Sequence, residues 1–250
     1  MKKLEWDYTA LAESFSYRPN YADSAVDATI ECVSLEKGSP VLDLGAGTAH
    51  LTLKLAAREM NVTALEPNQR MREIGQSRTA GCPNVLWRDA LMEVTGLPPS
   101  AFALATYGSS FGVADYGETL REAHRVLRPG GAIALLFNHR DLDDPLQSAI
   151  ESLIRVELPE YAYGNRRVDQ TALLQSFGFF NCVRRFEAPF IHEQSTATWT
   201  AAWSSHATLA RQAGDRFPAI VGAIQDLIAR RCGDSIRVPY ATRVWIGIRA

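Results

Sequence analysis

The stretch Val41-Leu42-Asp43-Leu44-Gly45-Ala46-Gly47-Thr48-Ala49 decides the fold. Its first four residues are apolar apart from one acid and read as a buried strand, which the two glycines close with a sharp turn. A helical pattern follows, about His50 to Glu59, and then the alternation repeats. Asn61 to Leu65 reads as a second strand ended by Glu66-Pro67, and Gln69 to Arg78 as a second helix. Asn84 to Arg88 gives a third strand ending at Asp89. Phe102 to Thr106 gives a fourth, running into Tyr107-Gly108-Ser109-Ser110. Glu118 to Leu127 is helical, stopped by Arg128-Pro129-Gly130-Gly131, and Ala132 to Phe137 is a fifth strand. Strand–helix–strand units at this spacing require parallel strands joined by right-handed crossovers, so the spacing predicts a doubly wound α/β sheet.

Outside this region the pattern loosens. Tyr8, Leu11, Ala12 and Phe15 recur at helical spacing before Arg18-Pro19 interrupts, and Ala25 to Leu35 resumes a helix that Gly38 stops. Beyond His139, helices are expected at Pro145 to Val156, Gln170 to Phe177, Thr196 to Gln212 and Phe217 to Arg231. Strands are expected at Asn181 to Ile191 and Thr242 to Arg249. The division that follows is an N-terminal cap segment (1–37), a ligand-binding core (38–140), and a remainder (141–250) that adds the last strands and helical cap insertions to one domain.

Composition narrows the function classes. With 26 basic against 28 acidic residues in 250, the net charge is −2, and a balance this even gives no broad basic field for nucleic acid. The longest apolar run, Ala132 to Phe137, is far short of the ~18 residues a membrane span needs. Met1-Lys2-Lys3-Leu4-Glu5-Trp6-Asp7 turns polar at once and has no signal-peptide core, so a soluble cytoplasmic protein is expected. Cys32, Cys82, Cys182 and Cys232 stand alone, without zinc-ligand spacing, and no metal site is expected.

In open parallel sheets ligands bind outside the carboxyl ends of the strands. There the first loop is unusual. Asp43 sits where a phosphate-binding loop places nothing acidic, and His50 replaces the third glycine of the dinucleotide pattern. An acid at this point repels phosphate but accepts hydrogen bonds from a cationic amine. Glu66, ending the second strand, suits both hydroxyls of a ribose. Asp89, ending the third, suits an adenine amino group with the Ala90 amide beside it; alone it would read as the N-cap of a following helix.

Together with Ala64-Leu65-Glu66-Pro67, Asp89-Ala90 and Arg125-Val126-Leu127-Arg128-Pro129-Gly130-Gly131, the first loop makes residues 38–140 resemble the class I S-adenosylmethionine-dependent methyltransferases. Tyr8-x-x-Leu11-Ala12 and Tyr17-Arg18-Pro19 resemble the opening of the small-molecule, type 11-like branch. The resemblance implies a Rossmann-like seven-stranded sheet with the last strand antiparallel. It implies that Asp43, Gly45, Ala46 and Gly47 hold the methionine end, with Tyr17 and Arg18 closing over it. It further implies that Glu66 takes the ribose, Pro67 and Met71 flank the adenine, Asp89 and Ala90 read its edge, and Tyr107 completes the cofactor site. The cofactor would be S-adenosylmethionine, leaving as S-adenosylhomocysteine. Ala49 departs from the family's frequent third glycine, and Phe111-Gly112-Val113 replaces a Phe-His-Trp sequence often found after the fourth strand.

The expected partner is a small-molecule acceptor, methylated at O, N or C by a monomer or homodimer. Candidate bases are His139 at the end of the fifth strand, Tyr107, His192 and His206. Trp199, Trp203 and His206 share one helix face, either as a core stripe or as an aromatic wall over the acceptor with Tyr161, Tyr163 and Tyr240 as neighbours. Arg166-Arg167 and Arg184-Arg185 could meet an acidic substrate or form a solvated face. Two alternatives stay open: a cofactor-binding regulatory protein without catalysis, and another reaction of the bound cofactor, such as cyclisation. The acid at Asp43 disfavours a nicotinamide oxidoreductase.

Overall fold

A computed structural model describes residues 7–250; the polar N-terminal run Met1–Trp6 lies outside the described residues. The elements are α1 (Ala12–Phe15), α2 (Asp23–Cys32), β1 (Pro40–Leu44), α3 (His50–Ala56), β2 (Asn61–Leu65), α4 (Gln69–Arg78), β3 (Val85–Arg88) and β4 (Phe102–Gly108). They continue with α5 (Tyr116–Val126), β5 (Leu127–Arg140), α6 (Pro145–Glu157), α7 (Thr171–Gln175), β6 (Phe180–Ser195), α8 (Thr196–Ala202), α9 (Ala207–Ala213), α10 (Phe217–Arg231) and β7 (Ser235–Arg249).

The seven strands form one sheet in the order β3-β2-β1-β4-β5-β7-β6. β1 to β5 pair in parallel, and β7 runs antiparallel between β5 and β6. This is the expected fold class. Parallel strands are covered on both faces and therefore read as continuous apolar runs. One face packs Leu42, Leu44, Tyr107 and Ile133 against Leu120 and Val126 of α5. The other packs Val41, Val62 and Leu104 against Leu51 and Leu55 of α3 and Val26 of α2.

Helix starts are set by short polar side chains. Asn68 accepts from the Met71 amide (3.1 Å), Asp115 from Glu118 (3.1 Å) and Asp144 from Leu146 and Gln147, with Pro145 in the first turn of α6. Such caps contribute about 1 kcal/mol each. No helix follows β3, so Asp89 has none to cap.

The last two strands extend further than their sequence patterns. β6 and β7 stay paired from Phe180 opposite Arg249 to Ser195 opposite Ser235, and α8–α10 are inserted at the far end of this ribbon. Residues 196–212 do not form one helix. His206 leaves the helical region (φ −78°, ψ 77°), and its Nδ1 accepts the Leu209 amide at 3.2 Å, so the chain restarts as α9. The inserted helices and α6 carry their own apolar core, built on Ile150, Ile154, Trp199, Trp203, Leu209, Ile224 and Ile228. The N-terminal segment straps this cap to the sheet. Arg18 donates through Nε to Ser205 Oγ (2.8 Å) and through Nη2 to the Ser205 carbonyl (2.6 Å), while Asn138 at the end of β5 holds the carbonyls of Pro19 and Asn20. Among the described residues no helix is long and apolar enough to cross a membrane.

Candidate functional site

One cavity lies over the carboxyl ends of β1, β2, β4 and β5, under the cap. At its β1 end, Asp43 is buried and accepts hydrogen bonds from the hydroxyls of Thr52 (2.6 Å) and Thr106 (3.0 Å). Burial outweighs these two donors and pushes its carboxyl up to about 6. The loop after it is tightly fitted. Gly45 has φ +66°, and a Cβ there would sit 2.6 Å from Ser110 Cβ, so only glycine is accommodated. Ala46 and Gly47 line the cavity beside it. Ala49, at the position of the missing third glycine, takes the left-handed conformation (φ +73°) that a Cβ disfavours.

Glu66 ties this loop to the second one. Its carboxylate accepts the Gly47 amide at 2.9 Å and the Asn68 amide at 2.8 Å. Burial is the largest influence on it and pushes its pKa up, against the two amides. A carboxylate has about four acceptor sites; with two used by amides, Glu66 still faces the cavity with acceptor capacity. Pro67 and Met71 line the same region, whereas Asp89 and Ala90 do not. Asp89 is turned to solvent, its side chain 67% exposed, and pairs with Arg72 at 3.1 Å. Leu91, Met92 and Glu93, two to four residues further on, occupy the cavity wall instead. The strand-end position of Asp89 carried the sequence reading. The turn after it, which brings the next residues inward, has no signature of its own.

The β5 end differs in chemistry. His139 is buried and lines the cavity, and its Nε2 has no hydrogen-bond partner among the described residues. Burial first, then Arg167, Arg243 and Arg166, pushes its pKa down to about 3, so the ring is neutral. Trp199, Trp203 and His206 all face the cavity: the two indoles meet edge to face at 5.8 Å and His206 stacks on Trp203 at 5.5 Å. Their burial in the cap core and their exposure to the cavity hold at once, because the core ends at the cavity. His206 is held neutral by burial and by Arg18, Arg140 and Arg166. Tyr163 and Tyr240 line the cavity as well.

Four sequence candidates lie elsewhere. Tyr107 is fully buried and packs edge to face on Phe111 at 5.2 Å. Side chains alternate along a strand: Thr106 turns toward Asp43, so Tyr107 turns to the α5 face and does not line the cavity. Tyr17 is 44% exposed and outside the cavity, while its neighbour Arg18 lines it. Tyr161 is buried in the cap core, behind Tyr163. His192 is not among the cavity-lining residues either. Of the arginine pairs, Arg184 and Arg185 lie on β6 away from the cavity, and Arg185 pairs with Asp169, whereas Arg166 and Arg167 line it together with Arg140. Arg140 was missed by the sequence reading, although it adjoins His139 at the same strand end.

The methyltransferase domain family model matches residues 41–131. Over 133 residues the chain is 32% identical to the ubiquinone/menaquinone biosynthesis C-methyltransferase UbiE of Escherichia coli K12, which covers 50% of this chain and 52% of that protein. The chain thus spans about half the length of the curated relatives it matches. Among solved structures, a chain from Anaeromyxobacter dehalogenans ascribed to the type II methyltransferases superposes with a TM-score of 0.67 at 18% identity, covering 92% of this chain and 97% of that one. Phosphoethanolamine N-methyltransferase 2 of Haemonchus contortus, in complex with S-adenosyl-L-methionine, gives 0.55 at 11% identity, covering 99% and 58%. At these identities the likeness is one of fold.

Proposed function

From the match of residues 41–131 to the methyltransferase domain family model, we propose that the chain transfers a methyl group from S-adenosylmethionine to a small molecule held under its cap. The observation that carries this reading is the pair of buried acids at successive strand ends. Asp43 and Glu66 share one cavity with two positive-φ glycines, and the same cavity continues into an aromatic pocket.

The residues fit the cofactor. A buried carboxyl held up at about 6, with no cation beside it among the described residues, is what a ligand ammonium group would complete. Glu66 keeps free acceptor positions for two hydroxyls while its other positions fix the loop. Without side chains at Gly45 and Gly47, Ser110 and Met71 close directly on the loop that edges the cavity, Met71 Cε standing 3.3 Å from where a Gly47 Cβ would lie. Pro67 and Met71 supply apolar surface for a flat base, and Leu91 and Met92 add to it. When bound, S-adenosylmethionine supplies a methyl group on a sulfonium that is already activated for in-line displacement.

The chain's own contribution is alignment and exclusion of water, for which well-oriented cases gain ~7–11 kcal/mol. Trp199, Trp203 and Tyr240 give the acceptor an apolar wall. His139, neutral and with Nε2 unpartnered, accepts a hydrogen bond from an acceptor hydroxyl or amine and turns its lone pair toward the donor. A ring whose pKa lies near 3 orients a proton more readily than it removes one.

The test is incubation of the purified protein with methyl-labelled S-adenosylmethionine and a small-molecule extract. Label should pass to small molecules with stoichiometric S-adenosylhomocysteine. Cofactor binding without any labelled product across such extracts would overturn the reading.

A further inference from the structure

We propose that the acceptor is an anion, carrying a carboxylate or phosphate on a flat apolar body, and that Arg166 and Arg167 receive its charge. This deepens the methyltransferase reading and rests on it. Four arginines line the cavity: Arg18, Arg140, Arg166 and Arg167. Among the described residues only Arg140 meets a carboxylate, Glu151 at 3.7 Å, and that acid also serves Arg155 at 3.2 Å and accepts the Tyr163 hydroxyl.

The other three are held by neutral groups. Arg18 binds the hydroxyl and carbonyl of Ser205 and lies over the Phe15 ring at 4.4 Å. Arg167 donates to the Arg140 carbonyl at 3.2 Å and lies over Tyr163 at 4.4 Å. Arg166 lies against Gly112, its Nε 3.5 Å from where a Cβ there would stand, and its charge acts on the Tyr8 hydroxyl. The acids of the cavity are engaged elsewhere: Asp43 with two hydroxyls, Glu66 with two amides, and Glu93 with the Asp115 amide.

Like charges gathered in a part-buried cavity repel one another, and the effect is visible. Burial and Arg166 push Arg18 down to about 10, and burial with Arg140 pushes Arg167 down. Assigning Glu151 to one guanidinium and the cofactor's carboxylate to another leaves two without a counter-charge. Guanidinium forks bind carboxylate and phosphate in two-point fashion and stack on rings without losing their donors. Arg140 already lies over Trp203 at 4.6 Å, so the charged and aromatic surfaces form one wall. A flat acid could stack on Trp203 or His206 while its anionic end reaches the arginines. An anion so held is a weak nucleophile, which makes the charge a handle and leaves a different atom of the acceptor to be methylated.

The probes are 2-naphthoate, 2-naphthyl phosphate and neutral 2-naphthamide, titrated calorimetrically into the protein with and without saturating S-adenosylhomocysteine. At least one anion should bind ten times tighter than the amide, and whichever anion is tighter names the group. The double variant Arg166→Gln/Arg167→Gln should lose that preference while keeping its S-adenosylhomocysteine affinity within twofold; Arg166→Lys/Arg167→Lys should keep most of the preference. Equal binding of amide and anions, or a preference that survives the glutamine pair, would overturn the proposal. Failure of S-adenosylhomocysteine to bind the wild type would overturn the cofactor reading instead, and the anion preference is then still read on the cofactor-free protein.

Discussion

The two ends of the cavity handle charge in opposite ways. At the β1–β2 end the charged groups are acids, and each is held by hydroxyl or amide donors from residues close to it in the chain or on the adjacent strand. At the β5 end, under the cap, they are arginines, held mainly by carbonyls, hydroxyls and rings from segments far apart in sequence. The first arrangement is a property of strand ends and tight loops and sits on the sheet's own core. The second depends on a separate apolar core and on an N-terminal strap that joins it to the sheet. On the proposed reading, the fold sets the cofactor end apart from the end that chooses the acceptor.

The largest effect expected separates the two cores. Trp203→Ala removes a buried indole from the cap and should destabilise it by about 3–5 kcal/mol. Hydrogen exchange should then show α10 opening while β1 and β4 stay protected. Equal loss of protection in both would mean that the cap and sheet unfold as one unit.

Next in size is Glu66→Gln, which keeps the shape but turns a donor toward one of the two amides that Glu66 now accepts. In the complex the neutral amide also gives up the charge-assisted hydrogen bonds of a carboxylate to the ribose hydroxyls, a loss of about 2 kcal/mol, so S-adenosylhomocysteine affinity should fall about 30-fold in a calorimetric titration. An affinity within twofold of wild type would remove Glu66 from the cofactor site.

The pH dependence is smaller and differs between the ends. The Asp43 carboxyl is raised by burial to about 6, above its unfolded value. It therefore stabilises the fold at low pH and loses that contribution as pH rises through about 6. Binding a cationic amine favours the ionised form, so S-adenosylhomocysteine affinity should be about tenfold weaker at pH 5 than at pH 7.5, and Asp43→Asn should flatten the profile. His139 is shifted the other way, to about 3. It is already neutral at pH 5, so no histidine inflection attributable to it should appear in turnover between pH 5.5 and 8 at saturating cofactor. An inflection near 6.5 that disappears in His139→Gln would show a ring that titrates in the working range.

Smallest is Ala49→Gly. Relief of the left-handed backbone and the greater freedom of the unfolded chain oppose each other, so the variant should differ from wild type by less than about 1 kcal/mol in thermal unfolding. A larger loss would mean that the Ala49 methyl, which is fully buried, packs more than it strains.

Legibility in the sequence follows the same divide. β2 and α4 fall on the expected residues, β4 runs two residues further, and β5 starts five residues early, taking in Arg128-Pro129-Gly130-Gly131, and ends three residues late. The elements that match are bounded by local chemistry, such as the Asn68 cap of α4. Asp43, Glu66 and the glycine loop stand in the cavity because the end of a parallel strand fixes where they stand. Asp89 falls outside the cavity for a related reason: its strand end was legible, but the helixless turn that follows it carries Leu91, Met92 and Glu93 inward. Tyr107 was a matter of parity, one residue along a strand being the difference between the cavity and the core. In the cap, Tyr161 and Tyr163 differ by two residues and only Tyr163 lines the cavity, and Arg166-Arg167 and Arg184-Arg185 look alike as pairs. Only tertiary packing tells which tyrosine or which pair faces inward.

The most direct test of the division between the two ends is hydrogen exchange with and without saturating S-adenosylhomocysteine. Protection should rise over Gly45–His50 and Glu66–Met71, with α10 unchanged. Protection confined to the cap, or none in these two loops at a concentration that saturates binding, would contradict it.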